Sequence, residues 1–420
     1  MLKSITRALY IIFAITCFSA SFGVSAVIVS SVLLFIASFI LIIRNVRLAS
    51  FLLHEKLAFL LVISLLVTAF FRENYASGIL FILTEYRLLY TAPFISIALF
   101  ISMSKTEILR APLVGLSFNF LGSFFLTLKI VGWKAISEIL GIRNAAGFAY
   151  ALDGKFVQSW IMTIWAGISG GFLLRMSSIT TPPSAIAMLI ALLGLFLFHG
   201  LLIDARTGVL GIFLVLSIIA ICGFRVIRRT LKSRQLFIIL AASSVVIFYF
   251  ISSPRIGLLV IEFLDFFSGA PGSKLTSVGQ RLLSWTNIGK LDLTQMIFGV
   301  GAGNWLEYMK AWYSEGSISV VHLKWRDFHS EYIWIAVNGG LLSLFFYVAL
   351  GLAIAVRSLN HLREGFYPTA GLGFSIFVII IVVGIFNSVF IAVRESHITV
   401  LCLIIWSTLV RIYENNKIIK

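Results

Sequence analysis

The chain has 420 residues, of which 60% are hydrophobic and only 12% charged; its mean hydropathy is +1.04 and its formal net charge +16. Soluble domains run nearer half apolar and about a quarter charged, so this composition excludes an ordinary soluble enzyme. In a soluble chain such a positive excess would suggest nucleic acid; here it reads as a membrane-topology signal.

A spanning helix needs about 20 mostly apolar residues. Twelve apolar runs fit, near 8–24, 25–43, 57–71, 78–103, 111–128, 157–174, 183–203, 207–224, 235–252, 332–356, 369–389 and 397–411. The first follows Lys3 and Arg7 with no small-residue cleavage site, so a retained first helix is expected. Cys17, Cys222 and Cys402 all fall inside apolar runs without CxxC spacing, which points to small core residues and away from disulfides or a metal site. With a cytoplasmic N-terminus and twelve spans, 18 basic residues and four acidic ones fall on the cytoplasmic side, +14 of the total +16; the remainder of the chain holds 15 basic and 13 acidic residues. Both termini are then cytoplasmic.

The expected fold is all-α and polytopic, about twelve transmembrane helices with one large loop. Residues 1–252 would form an N-terminal bundle of about nine spans. Residues 253–331 would be a large non-cytoplasmic loop with short helices, and 332–420 about three C-terminal spans. In the loop, Pro254 ends the ninth span, and the mostly apolar Ile256–Phe267 has the pattern of an amphipathic helix, lying on the membrane or packing on the bundle. A turn follows at Gly269–Ser273. From Val278 the pattern becomes helical, with Leu282, Trp285 and Ile288 on one face and Arg281 one turn from Trp285. Gly299, Gly301 and Gly303 make a bend, and Trp305–Ser314 reads as a second helical piece. No internal repeat of the transporter kind is visible.

Ionisable groups at membrane depth cost roughly 2.5–3.5 kcal/mol on insertion scales, so they mark candidate sites. Glu85 and Arg87 interrupt the fourth run, where the plain reading is a self-satisfying surface pair. Asp204 and Arg206 occupy a tight outer turn; Arg394, Glu395 and His397 lie in another; Arg281 and His329 belong to the large loop. Taken singly, an interfacial Arg is usually a snorkelling anchor and a lone His a structural residue. As a set on one membrane face they suit a lipid-linked phosphate or pyrophosphate, because guanidinium forks match phosphate oxygens and keep their proton. An imidazole beside them can take a proton from an attacking hydroxyl. The loops carry no DxD or HxxxH spacing, so no metal and no other cofactor is expected.

Four strings at these residues resemble the O-antigen ligase and O-antigen polymerase superfamily of bacterial inner-membrane proteins: Arg206-Thr207-Gly208, GQRLLSWTNIG followed by IFGVGAGNW, HSEYIWIAVNGGLLSL, and VFIAVRESHITVL. The family usually has Asn directly after its His, where this chain has Ser330. The resemblance implies a GT-C-like fold in the inner membrane with a late periplasmic loop. It implies an inverting, metal-independent glycosyltransferase that moves polysaccharide from undecaprenyl pyrophosphate to a lipid A–core sugar hydroxyl. His329 would be the catalytic base, and Arg206, Arg281 and, more weakly, Arg394 would bind the pyrophosphate. Implied partners are the two lipid-anchored substrates and membrane lipids, with no nucleic acid. Chain length and the Arg394 turn look more like a ligase than a polymerase. Two other classes stay open: a transporter or flippase for a lipid-linked sugar, which Glu85 and Arg87 favour, and a scaffold subunit, which would need no His–Arg set.

Overall fold

A computed structural model describes residues 2–19, 24–44, 50–112, 114, 155–177, 206–230, 254–316, 318, 328, 330–391 and 393–418. Every regular element among them is helical: α1 (Leu2–Ser19), α2 (Val24–Arg44), α3 (Leu53–Phe70), α4 (Tyr75–Glu85), α5 (Arg87–Ser102), α6 (Lys155–Ser177), α7 (Arg206–Thr230), α8 (Pro254–Ser268), α9 (Ser277–Ile288), α10 (Leu293–Phe298), α11 (Trp305–Ser314), α12 (Glu331–Arg363), α13 (Tyr367–Val378) and α14 (Val393–Ile418). A π-helical turn, Ile379–Val383, and the short helix Gly384–Phe386 extend α13.

Four of the described helices are long and apolar enough to cross a membrane: Leu53–Phe70, Glu331–Arg363, Tyr367–Phe386 and Ser396–Lys417. A fifth span results if α4 and α5, bent by 44° at Tyr86, are counted as one. Shorter apolar stretches lie at Ile5–Cys17, Ile28–Ile43 and Leu210–Phe224. The expected runs 183–203 and 235–252, and all of 111–128 but 111, 112 and 114, lie outside the described residues.

Close approach of small residues holds one pair of helices together. A Cβ on Gly371 would overlap the Gly167 carbonyl, and one on Gly171 would overlap the Tyr367 carbonyl. α6 and α13 therefore touch backbone to backbone through a Gly-x-x-x-Gly face, the arrangement that favours helix association in lipid. α7 runs parallel to α6, with Gly211 at Thr163 and Gly223 at Leu174. α5 and α14 are also parallel: Leu88 and His397 line one small cavity, and the Thr408 hydroxyl reaches the Ser96 carbonyl. These pairings put the starts of α5, α6, α7 and α14 at one end of the bundle, the end that carries 254–318.

At the opposite end a charged pair is fully enclosed. Arg411 of α14 pairs with Glu55 of α3, which also accepts from the Ser96 hydroxyl at 2.5 Å and the Leu52 amide at 2.8 Å. His54 meets the Ser407 hydroxyl at 2.7 Å and leans on Trp406. A buried ion pair is tolerated when further hydrogen bonds satisfy its remaining valences; both Glu55 oxygens are met here, whereas the Arg411 Nε–H is left without a partner among the described residues.

Three of the loop's expected features are present. α8 covers the amphipathic stretch, Gly269 and Gly272 take positive φ in the turn, and α11 matches Trp305–Ser314. The Thr276 hydroxyl caps α9 by accepting from the Gly279 amide, and Asp292 and Gln295 form a reciprocal capping box on α10.

Candidate functional site

Three helices are discontinuous, and two of the breaks meet at one carboxylate. The first is in α12, where Gly340 has φ 68° and ψ −169°, a conformation that is essentially glycine's alone. Tyr332 and Tyr347 lie fifteen positions apart, about 22 Å along a straight helix, yet their rings are 5.1 Å apart edge to face. The first limb of α12 therefore folds back along the second. The break strips the carbonyls of Val337 and Asn338 of helical partners. The glycine bend of the loop supplies them: the Val300 amide donates to Val337 at 2.7 Å and the Gly301 amide to Asn338 at 3.1 Å.

The second discontinuity follows α13. A π turn leaves carbonyls without their usual i+4 donors, and two tyrosines of α12 take them up. The Tyr332 hydroxyl donates to Ile381 at 2.8 Å, and the Tyr347 hydroxyl donates to Ile380. Beyond Phe386 the chain is extended at Asn387 and non-helical through 391, and α14 starts at Val393. The third lies at Tyr86, between α4 and α5, where Arg87 donates to the Thr84 carbonyl and so caps α4.

Glu331, with no exposed surface, stands at the start of α12 and joins the second and third. One carboxylate oxygen accepts from the Tyr86 hydroxyl at 2.8 Å, and the other accepts from the amides of Val389 at 2.7 Å and Phe390 at 3.1 Å. Its own amide donates to the Asn387 carbonyl at 3.2 Å. Ser330 beside it is equally buried, caps α12 by accepting from Ile333, and donates to the Gly384 carbonyl. Aromatic rings seal the node: Trp334 stacks on Phe81 at 5.6 Å, and Phe390 packs on Tyr86 and Tyr347.

The sequence-predicted residues stand as follows. His329 lies outside the described residues; its neighbours Phe328 and Ser330 are both buried. Arg281 is half-buried on α9. Arg206 is the first residue of α7 and Arg394 the second of α14, and for these two the description stops at the backbone. The starts of α7, α12 and α14 all lie toward the loop end of the bundle. His397 is enclosed on α14 among Thr16, Ser31, Leu88 and Ile404 and does not face outward with the turn. Arg87 caps α4. α9 is helical as expected, but its buried face is polar, with Gln280, Ser284 and Asn287 turned inward, while Trp285 is 39% exposed.

Sequence reading missed Arg72 and its surroundings. Arg72 follows α3, lies across Gly301 and donates to the Gly299 carbonyl. Asn74 bonds Asn304 at 2.6 Å and Glu307 at 3.2 Å, and Gly303 abuts Gly78. The α3–α4 turn thus clasps the same glycine bend that pairs with α12. An Arg in a short turn between apolar runs was the available signal, identical in kind to that at Arg206. Among the described residues no group of three or more His, Cys, Asp or Glu could hold a metal ion.

No protein-family model matches the chain, and no curated protein matches it.

Proposed function

We propose that the protein is an O-antigen ligase of the inner membrane, joining a polysaccharide carried on undecaprenyl pyrophosphate to a sugar hydroxyl of lipid A–core at the periplasmic face. In this reading Arg206, Arg281 and Arg394 neutralise the pyrophosphate. His329 accepts the proton of the acceptor hydroxyl as its oxygen attacks the anomeric carbon. The new glycosidic bond forms as the bond to the pyrophosphate breaks, with inversion, and undecaprenyl pyrophosphate leaves. No nucleotide sugar enters. Bringing two lipid-anchored reactants together supplies much of the rate, since orientation alone is worth up to about 7–11 kcal/mol.

The observation that carries the proposal is positional. The helix starts bearing Arg206 and Arg394, and the buried start of α12 next to His329, lie toward the same end of the bundle as the loop bearing Arg281. The four sequence strings that resemble the superfamily include these places.

A transporter for a lipid-linked sugar is the second reading, favoured by the broken helices at Tyr86, Gly340 and residues 379–391, since transporters build sites from discontinuous spans. One experiment separates them. His329→Ala, Arg281→Ala, Arg206→Ala and Arg394→Ala are expressed in a strain lacking its own ligase, and lipopolysaccharide is run on a gel. The ligase reading expects rough lipopolysaccharide and accumulated long-chain lipid-linked polymer at normal protein levels. A wild-type protein that leaves this strain rough but restores the long-chain ladder in a strain lacking only its polymerase indicates a polymerase. Wild-type ladders from all four variants eliminate the catalytic assignment.

A further inference from the structure

Glu331 is not among the residues assigned a role above, and its surroundings are unusual. Its carboxylate is wholly enclosed and meets three donors from two other parts of the fold: the hydroxyl at the α4–α5 break, and the two successive amides of Val389 and Phe390 in the non-helical stretch. Two successive amides aimed at one oxygen make a small anion cradle, here filled by the protein's own side chain. The residue is also two positions from His329 in sequence, and the cradle is four positions from Arg394. In the non-helical stretch 387–391 the Asn387 amide still reaches back to the Val383 carbonyl at 3.0 Å, while the Asn387 carbonyl and the amides of Val389 and Phe390 all meet Glu331.

We propose that Glu331 is a positioning residue, a latch that fastens the start of α12 to residues 387–391 and thereby sets the relative placement of the chain segments bearing His329 and Arg394. The latch works by reach and by accepting hydrogen bonds, not by proton transfer. Both carboxylate oxygens are already engaged, and burial keeps water and substrate hydroxyls from them. The consequence for catalysis rests on the ligase reading; the latch itself does not.

The test uses full-length protein in lipid nanodiscs and three substitutions that separate charge from reach. Glu331→Gln keeps the length and an oxygen that can face the two amides, and the Tyr86 hydroxyl can turn to accept from the new amide. Glu331→Asp keeps the charge but is one methylene too short. Glu331→Ala removes both. Hydrogen exchange at Val389 and Phe390 is expected to stay near wild type in the Gln variant and to rise about tenfold or more in Asp and Ala. The turnover number for polysaccharide transfer should follow the same order, falling about a hundredfold in Asp and Ala, a cost typical of small misplacements. KM for the lipid-linked donor should hold within about threefold, and the pH profile of the Gln variant should keep its wild-type shape. Should Ala fail to accumulate, the Gln-against-Asp comparison decides alone. Unchanged exchange in the Asp variant overturns the latch. An active Asp variant beside a dead Gln variant overturns it too, because the carboxylate's charge would then be what matters. Faster exchange with full turnover overturns the positioning role. If the wild-type protein transfers nothing, the ligase reading fails, and the exchange order still decides the latch.

Discussion

Arg411 shows how strongly a single enclosed charge depends on its partners. It pairs with Glu55 and donates to the Ser50 carbonyl at 2.5 Å, deep among α3, α5 and α14. Removing one member of such a pair leaves the other charge buried alone and costs about 3–5 kcal/mol, whereas replacing both by apolar groups is near neutral. Arg411→Ala should therefore lower the thermal unfolding midpoint sharply, and Glu55→Leu combined with Arg411→Met should recover most of it, read by tryptophan fluorescence in detergent. Equal losses in the single and double variants would mean that the pair is not the source. A gentler case lies outside the spans. The Ser104 amide and hydroxyl both donate to Glu107 at 2.8 Å, holding its carboxyl below the ordinary value of 4.5. A carboxyl depressed in the folded state stabilises above its unfolded pKa, and that contribution fades as pH falls through the folded value. The amide-exchange protection factor over 105–112, corrected for the intrinsic rate at each pH, should fall on acidification below about pH 4.5, and Ser104→Ala should remove that dependence.

Among the helices, two glycine contacts set the limits on substitution. Gly340 has a backbone conformation closed to other residues, and a Cβ there would strike the Ile297 carbonyl. Gly340→Ala should cost upward of about 2 kcal/mol, with loss of folded, extractable protein. Gly339→Ala should be milder, since its nearest obstacle is the Ser343 side chain. Gly371→Val should part α6 from α13, because backbone stands on the other side; a variant that purifies and melts like wild type would refute the close packing. The helices themselves were readable, because apolar runs of spanning length leave little alternative. α8, α9 and α11 were readable from Pro254, the turn glycines and the spacing after Val278. The breaks were not. Nothing in Ile379–Val383 distinguishes a π turn from an α turn, and Tyr86 stands between helices without glycine or proline. Gly339 and Gly340 were visible, but a glycine pair does not announce that a helix will reverse. Glu331 escaped notice because its partners lie 58 and 245 positions away.

For the molecule as a whole, the direction in which the loop faces matters most. On α8, Leu258, Val260, Ile261, Leu264 and Phe267 are exposed, and on α10 so are Leu293 and Phe298. Apolar surface of this extent suits contact with lipid, and on the proposed function the loop would lie along the interface instead of standing away in water. In a background with Cys222, the exposed native cysteine, replaced by Ser, cysteines at Leu264 and Phe267 should resist a membrane-impermeant thiol reagent and contact lipid-borne spin labels. Ready labelling would place the loop in water. Such a placement would bring a lipid-borne pyrophosphate to Arg281 without leaving the bilayer. The four residues proposed to act came from sequence strings, whereas the clasp of Arg72 and Asn74 on Gly299–Gly303 emerged only from contacts over 227 to 233 positions.

The most direct test of the glycosyl-transfer account is reconstitution. Purified protein in vesicles is given undecaprenyl-pyrophosphate-linked polysaccharide and lipid A–core, with a chelator and no nucleotide sugar, and the product is read on a gel. The account predicts a polysaccharide-bearing lipid A–core band from wild type and none from His329→Ala or Arg281→Ala. Movement of the donor between leaflets with no covalent product, or equal product from all three proteins, would contradict it.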